Sequence, residues 1–181
     1  MKFSAIQIQP KKSGLEEENA IEALIGCHDR IRHFSAMAVR LADATNEDGN
    51  QVSEAAKAVH RYFTVALPLH EADENISIDP RIQASVPATA LADASAEMVQ
   101  QHKEINALLK ALIPLWEEVG TDPNRLPTHA SQLKTDSERL VQLFDVHLTL
   151  EDQTVFPLMV KHLSAEDMDA IRTEMRERRR P

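Results

Sequence analysis

Apolar residues recur at spacings of three, four and seven along most of this chain, the period of amphipathic helices. The first stripe is Ile21, Leu24, Ile25, His28, Ile31, Ser35, Ala38 and Leu41. It predicts a helix opened by a capping box at Ser13 and Glu16 and ending near Thr45. Residues 1–12 read as an extended arm, and NEDGN at 46–50 as a turn. The second helix starts at Asn50 or Ser53 and carries Val59, Phe63, Ala66 and Leu67 toward His70 and Glu74. Pro68 removes one backbone donor there and predicts a kink one turn before His70. With its two prolines, NISIDPRIQASVP (75–87) is expected to leave the helix. A third helix opens near Pro87 with the stripe Leu91, Ser95, Met98, His102, Ile105, Leu109, Leu112 and Trp116. After a break at 120–127, a fourth runs from about His129 to Phe156 through Leu133, Leu140, Phe144, His147 and Glu151, where Pro157 disturbs or ends it. Ser164 and Asp167 cap a short final helix.

Four long amphipathic helices with modest connections predict an all-α fold, an antiparallel up-down-up-down four-helix bundle with a short C-terminal helix. The expected division is an arm at 1–14, the bundle at 15–160, and the last helix with its basic tail at 161–181. A length of 181 residues suits one domain, and only four glycines, one Trp and one Tyr argue against a sheet protein. A net charge of -9 disfavours nucleic acid or an anionic membrane as a partner and suits a chain that offers carboxylates to cations. One cysteine, Cys27, excludes an internal disulfide and fits a reducing compartment. No apolar run approaches the roughly 20 residues of a membrane span, and the first residues lack the features of a signal peptide. The cytoplasm is therefore the expected location. Gly-rich phosphate loops and GxSxG elbows are absent.

Each stripe carries a histidine among apolar residues, and two of these, His70 and His147, have a glutamate four residues on, Glu74 and Glu151. Positions i and i+4 share a helix face. One histidine on an apolar face is ordinarily a hydrogen-bonded core residue. Four on four helices, two of them paired with carboxylates, ask for a shared partner, and a metal fits. Mixed imidazole and carboxylate donors suit iron, zinc or manganese, and no cysteine lies on the stripes. Four histidines and two glutamates exceed one tetrahedral zinc. They suit two octahedral ions bridged by the glutamates and a hydroxide or oxide, with an open position where a small molecule such as dioxygen would bind. Glu71, beside His70, is a further candidate ligand. The remaining histidines, His33, His60, His129 and His162, read as surface or capping residues, and Cys27 as a small buried hydrophobe. The tail Arg176, Arg178, Arg179 and Arg180 reads as a solvated helix end complementing the dipole.

His28 in CHDRIRHF, His70-x-x-x-Glu74 in PLHEADE, His102 in QQHKE and His147-x-x-x-Glu151 in DVHLTLEDQTVFPLM resemble the hemerythrin-like, or HHE, cation-binding family over roughly residues 20–160. The resemblance implies a non-haem di-iron centre that binds dioxygen or another small diatomic or peroxide ligand. The ligands it implies are His28, His70, His102 and His147, with Glu74 and Glu151 as bridges. The oxygen-carrying members have a second histidine on the third helix where this chain has Asn106, and a fourth-helix carboxylate five residues after its histidine. Those departures fit the bacterial-type and regulatory branch, with Glu71 replacing the missing histidine. The expected function is dioxygen binding, or sensing of oxygen, iron or redox state, rather than dedicated catalysis. The alternatives are turnover of peroxide or nitric oxide at the same centre, and a metal-free helical interaction module.

Overall fold

The structure, a computed structural model, describes residues 19–180. The expected arm and the cap at Ser13 lie outside those residues. Five helices account for almost all of the described chain, and no strand occurs among the described residues. Helix α1 (Ala20–Ala42) is opened by Asn19, whose side chain accepts from the Glu22 N–H while the Glu22 carboxylate accepts from the Asn19 N–H. Asp48 caps α2 (49–85) by accepting from the N–H groups of Asn50 and Gln51. Helix α3 (Ala88–Thr121) follows Pro87. A single turn at Pro123–Arg125 leads into α4 (126–162), and Ser164 with Asp167 closes the expected capping box of α5 (Ala165–Arg178).

Two helices continue through prolines by way of wide turns, while α3 carries Pro114 in its interior without one. Helix α2 spans 49–85 without a break, so the segment 75–87 stays helical almost to its end, against expectation. Helix α4 likewise spans 126–162. Wide π-type turns make this possible, at Tyr62–Ala66, Asp73–Ile78 and Glu151–Val155. In each the residue just before a proline donates five residues back: Leu67 to Tyr62, Asp79 to Glu74 and Phe156 to Glu151. A proline inside an α-helix forfeits a hydrogen bond and clashes with the carbonyl four residues back. Widening the preceding turn shifts that carbonyl out of the way and lets the helix continue.

Helix α1 packs against α2 and α4, and α3 packs against the same two; α5 lies over α1 and the Asp73–Ile78 turn. At Gly120 an added Cβ would meet Lys57 Cγ at 3.1 Å, and the Gly120 carbonyl accepts from the Ser53 hydroxyl at 2.6 Å. Glycine is what lets α3 come this close to α2.

Buried apolar side chains form two clusters. One gathers Ile31, Leu67, Ile105, Phe144 and Leu148 around Phe63 and Trp116, and the other Leu24, Ile78, Leu91 and Val155 around Met159 and Ile171. Each fully buried Leu, Ile or Phe contributes about 1.5–3 kcal/mol. The two clusters together offset the burial of a polar layer between them, which would otherwise cost several kcal/mol for each uncompensated charge. Along α1 the order is Leu24, His28, Ile31; along α2 it is Leu67, His70, Glu74, Ile78. Every one of the four long helices passes from one cluster to the other, with its chemistry at the boundary. No described helix is long and apolar enough to cross a membrane.

Candidate metal centre

His28, His70, Glu74, His147 and Glu151 are all buried, and His102 is partly so, with 25% of its side chain exposed. Both glutamates sit at the start of wide turns, Glu74 in the second place and Glu151 in the first. The donor atoms fall into two groups, each within 4.8 Å: His28, His70, Glu74 and Glu151 form one, and Glu74, His102 and His147 the other. Glu74 belongs to both. Its Oε1 lies 2.7 Å from His70 Nε2 and its Oε2 3.6 Å from His102 Nε2. Glu151 also reaches both sides, with Oε2 3.0 Å from His28 Nε2 and Oε1 3.4 Å from His147 Nε2. His102 Nε2 and His147 Nε2 stand 3.1 Å apart.

The His102–His147 contact is a hydrogen bond, but the short distances at His28 Nε2, His70, Glu74 and Glu151 Oε2 are not aligned ones. His28 Nε2, both ring nitrogens of His70, both oxygens of Glu74 and Glu151 Oε2 are buried without an aligned hydrogen-bond partner. Orphaned buried polar atoms are rare and costly. Several of them converging on one layer, all of types that ligate borderline and hard cations, fit a metal site.

Outer partners fix two imidazoles. His28 Nδ1 lies 2.8 Å from Asp152 Oδ1, and Arg32 holds the other Asp152 oxygen at 3.0 Å. A carboxylate only accepts, so Nδ1 carries the proton and Nε2 turns its lone pair to the cluster. His147 Nδ1 lies 3.0 Å from Gln101 Oε1, while the Gln101 amide nitrogen donates to Glu97 at 2.9 Å. The amide orientation thus gives His147 the same tautomer. Neither Asp152 nor Gln101 stands among the candidate site residues of the sequence.

Charge states follow from burial. It pushes His28 down to about 4, with the neighbouring His70 adding to the effect. Burial likewise pushes His147 down to about 4, against the attraction of Glu74. Both are neutral near pH 7, as ligands must be. His70 is buried too, but the Glu74 carboxylate outweighs that and holds it well above its ordinary range. Glu74 is correspondingly lowered to about 2, the His70 charge overcoming burial. Burial and then the Glu74 charge raise Glu151 well above the carboxylate range. Two carboxylates this close cannot both ionise cheaply without a cation.

Glu71 belongs to neither group. It is half-buried, and burial followed by the Glu74 charge pushes it up. His129 pairs with Glu118 at 2.9 Å and His33 stacks edge-on against Phe34, both away from the site. The basic tail departs from expectation. Rather than ending in solvent, Arg178 and Arg179 turn inward onto Asp73, the residue before Glu74.

A helical protein with this buried histidine and glutamate layer is built to bind metal. Its sequence matches the family described as the hemerythrin HHE cation binding domain over residues 19–158, and again over 93–180. The chain belongs to that family. An uncharacterized protein of Haemophilus influenzae is 26% identical over 162 residues, covering 88% of this chain and 89% of that one.

Proposed function

We propose that His28, His70, Glu74, His102, His147 and Glu151 would hold two iron ions, and that the chain uses them to bind dioxygen or to sense oxygen, iron or redox state. The observation that carries the reading is the pair of donor groups sharing Glu74, with buried nitrogens and oxygens that no protein partner satisfies. In this reading His28 and His70 serve one ion and His102 and His147 the other, with Glu71 as an added carboxylate at the rim. The alternation of the two apolar clusters along successive helices supports the up-down-up-down antiparallel arrangement expected for such a centre.

Room for the second reactant is small. A cavity of about 30 Å³ abuts Glu74 and Glu151, and its apolar lining includes Ile82, Leu91, Met98 and Phe156. One water needs roughly 10–15 Å³ of such space, so a diatomic molecule or a peroxide fits. Reduced iron would supply the electrons for dioxygen chemistry. Asp152 and Gln101 hold two imidazoles in the ligating tautomer.

The test is the visible and ultraviolet spectrum of anaerobically reduced, iron-loaded protein before and after air. Bands that appear on aeration and reverse on removal of oxygen or on re-reduction support binding or sensing. Rapid bleaching with consumption of added peroxide would assign turnover instead. Protein that takes up no metal would leave a helical interaction module.

A further inference from the structure

Asp73 is wholly buried, yet it is a carboxylate and no member of the donor groups. Two guanidinium groups from the end of α5 meet it. Arg178 Nη1 donates to Oδ1 at 2.8 Å, and Arg179 donates to Oδ2 at 2.5 Å and Oδ1 at 3.2 Å. Arg178 also donates to the Ser77 hydroxyl, four residues on in the same wide turn, at 2.5 Å. Arg179 braces itself on its own helix through the Met175 carbonyl at 2.7 Å. Its Nη2 also faces Cys27 Sγ at 3.8 Å, a thiol that Arg30 approaches at 3.0 Å.

The chain positions of these partners matter. Asp73 immediately precedes Glu74 on α2, and Cys27 immediately precedes His28 on α1. One planar guanidinium therefore touches the neighbours of two candidate ligands on two helices. Buried ion pairs are seldom the most stabilising filling for a core, since apolar residues of similar volume often do as well or better. What they provide is fixed geometry, and a bidentate arginine fork provides more of it than lysine can. The backbone at 73–78 is a wide turn, so regular helical bonding does not by itself dictate where Glu74 points.

We infer that Arg178 and Arg179 are positioning residues for the cation centre, holding through Asp73 and Cys27 the backbone on which Glu74 and His28 stand. Helix α5 is then part of the metal-binding machinery. The inference rests on the cation-binding reading above and adds the element that keeps the site in register.

Cobalt(II) loaded into the metal-free, full-length protein is the probe. The variants are Arg179→Gln, Arg179→Lys, Asp73→Asn and, as an exposed control on the same helix, Arg176→Gln. Outer-sphere partners of ligands typically carry a 10–100-fold effect on metal affinity. Arg179→Gln and Asp73→Asn should therefore lose cobalt to excess chelator about 10–100-fold faster than the parent, with an altered ligand-field band. Arg179→Lys should recover part of the loss, and Arg176→Gln should match the parent. Parental release rates and spectra in Arg179→Gln and Asp73→Asn would overturn the inference, even if their melting temperatures fell, because α5 would then be only a brace. Arg179 keeps 31% of its side chain exposed, so its replacement is the milder variant should Asp73→Asn fail to fold. A parent that takes up no cobalt would defeat the cation-binding reading first and this inference with it.

Discussion

Glu74 and Glu151 stand in matching turns on different helices: each carbonyl accepts from the N–H five residues on, Asp79 in one case and Phe156 in the other. In both a proline comes next, Pro80 or Pro157, and a histidine stands four residues before the glutamate. The same local device thus delivers both carboxylates to the layer between the two apolar clusters. The prolines follow the wide turns directly, and the wide turns orient the two carboxylates.

Replacing Pro157 with Ala tests what the proline contributes to the turn. Alanine favours a regular helix by about 3 kcal/mol over proline, so the turn can relax toward ordinary α-helical bonding and swing Glu151 aside. The metal-free variant should melt no lower than the parent, while its metal affinity falls by roughly tenfold or more, in line with loss of ligand orientation. Thermal melts with chelator and competitive metal titrations measure the two quantities separately. Unchanged affinity would show that the turn persists without the proline.

The outer partners give a second prediction. Gln101→Leu frees the proton-bearing side of His147, and Asp152→Ala does the same for His28. Each should weaken metal binding about 10–100-fold without unfolding the chain. Isothermal titration with cobalt or iron(II) under argon measures this, and parental affinity in both variants would refute the assigned tautomers.

Acid sensitivity of the metal-free protein follows from His147. Its folded value is about 4, below the ordinary 6.5, so the unfolded chain binds the extra proton first. This residue's contribution to stability is present above 6.5 and is lost as pH falls toward 4. His28 acts in the same direction, with the same folded value. His70 and Glu151 are raised, so their contributions run the other way, being lost as pH rises through their folded values. Comparison with a variant isolates one group. Between pH 7 and pH 4, metal-free parent should lose about 2–3 kcal/mol more than metal-free His147→Gln. Urea unfolding at the two pH values measures this, and equal losses would contradict it.

Glu71 lies outside both donor groups but feels the Glu74 charge. As a rim carboxylate it would favour oxidised iron. Glu71→Ala should therefore keep its metal and be oxidised more slowly by air in stopped-flow mixing of the reduced protein. Identical kinetics would make Glu71 only a surface acid.

The helical periods were legible because burial imposes them: His28, His70, His102 and His147 replace apolar residues on stripes that must face inward. Helix ends at prolines are hard to place from sequence for a physical reason. A proline is costly in a regular helix, and NISIDP looks like an exit unless a wide turn absorbs it; the repeated His-x3-Glu-x5-Pro spacing was the available signal. Asp152 and Gln101 were hidden differently. Their partners, His28 and His147, lie on other helices, 124 and 46 residues away in sequence. Arg178 and Arg179 looked like a helix end in water because nothing local shows that Asp73 is buried beneath them.

Metal content per chain tests the central claim most directly. Metal-free protein equilibrated anaerobically with iron(II), desalted and measured by elemental analysis should retain close to two ions per chain. His147→Ala and Glu151→Ala should retain fewer, and His33→Ala, at a histidine outside both donor groups, should match the parent. Retention of no iron by the folded parent, or full retention in both ligand variants, would contradict the account.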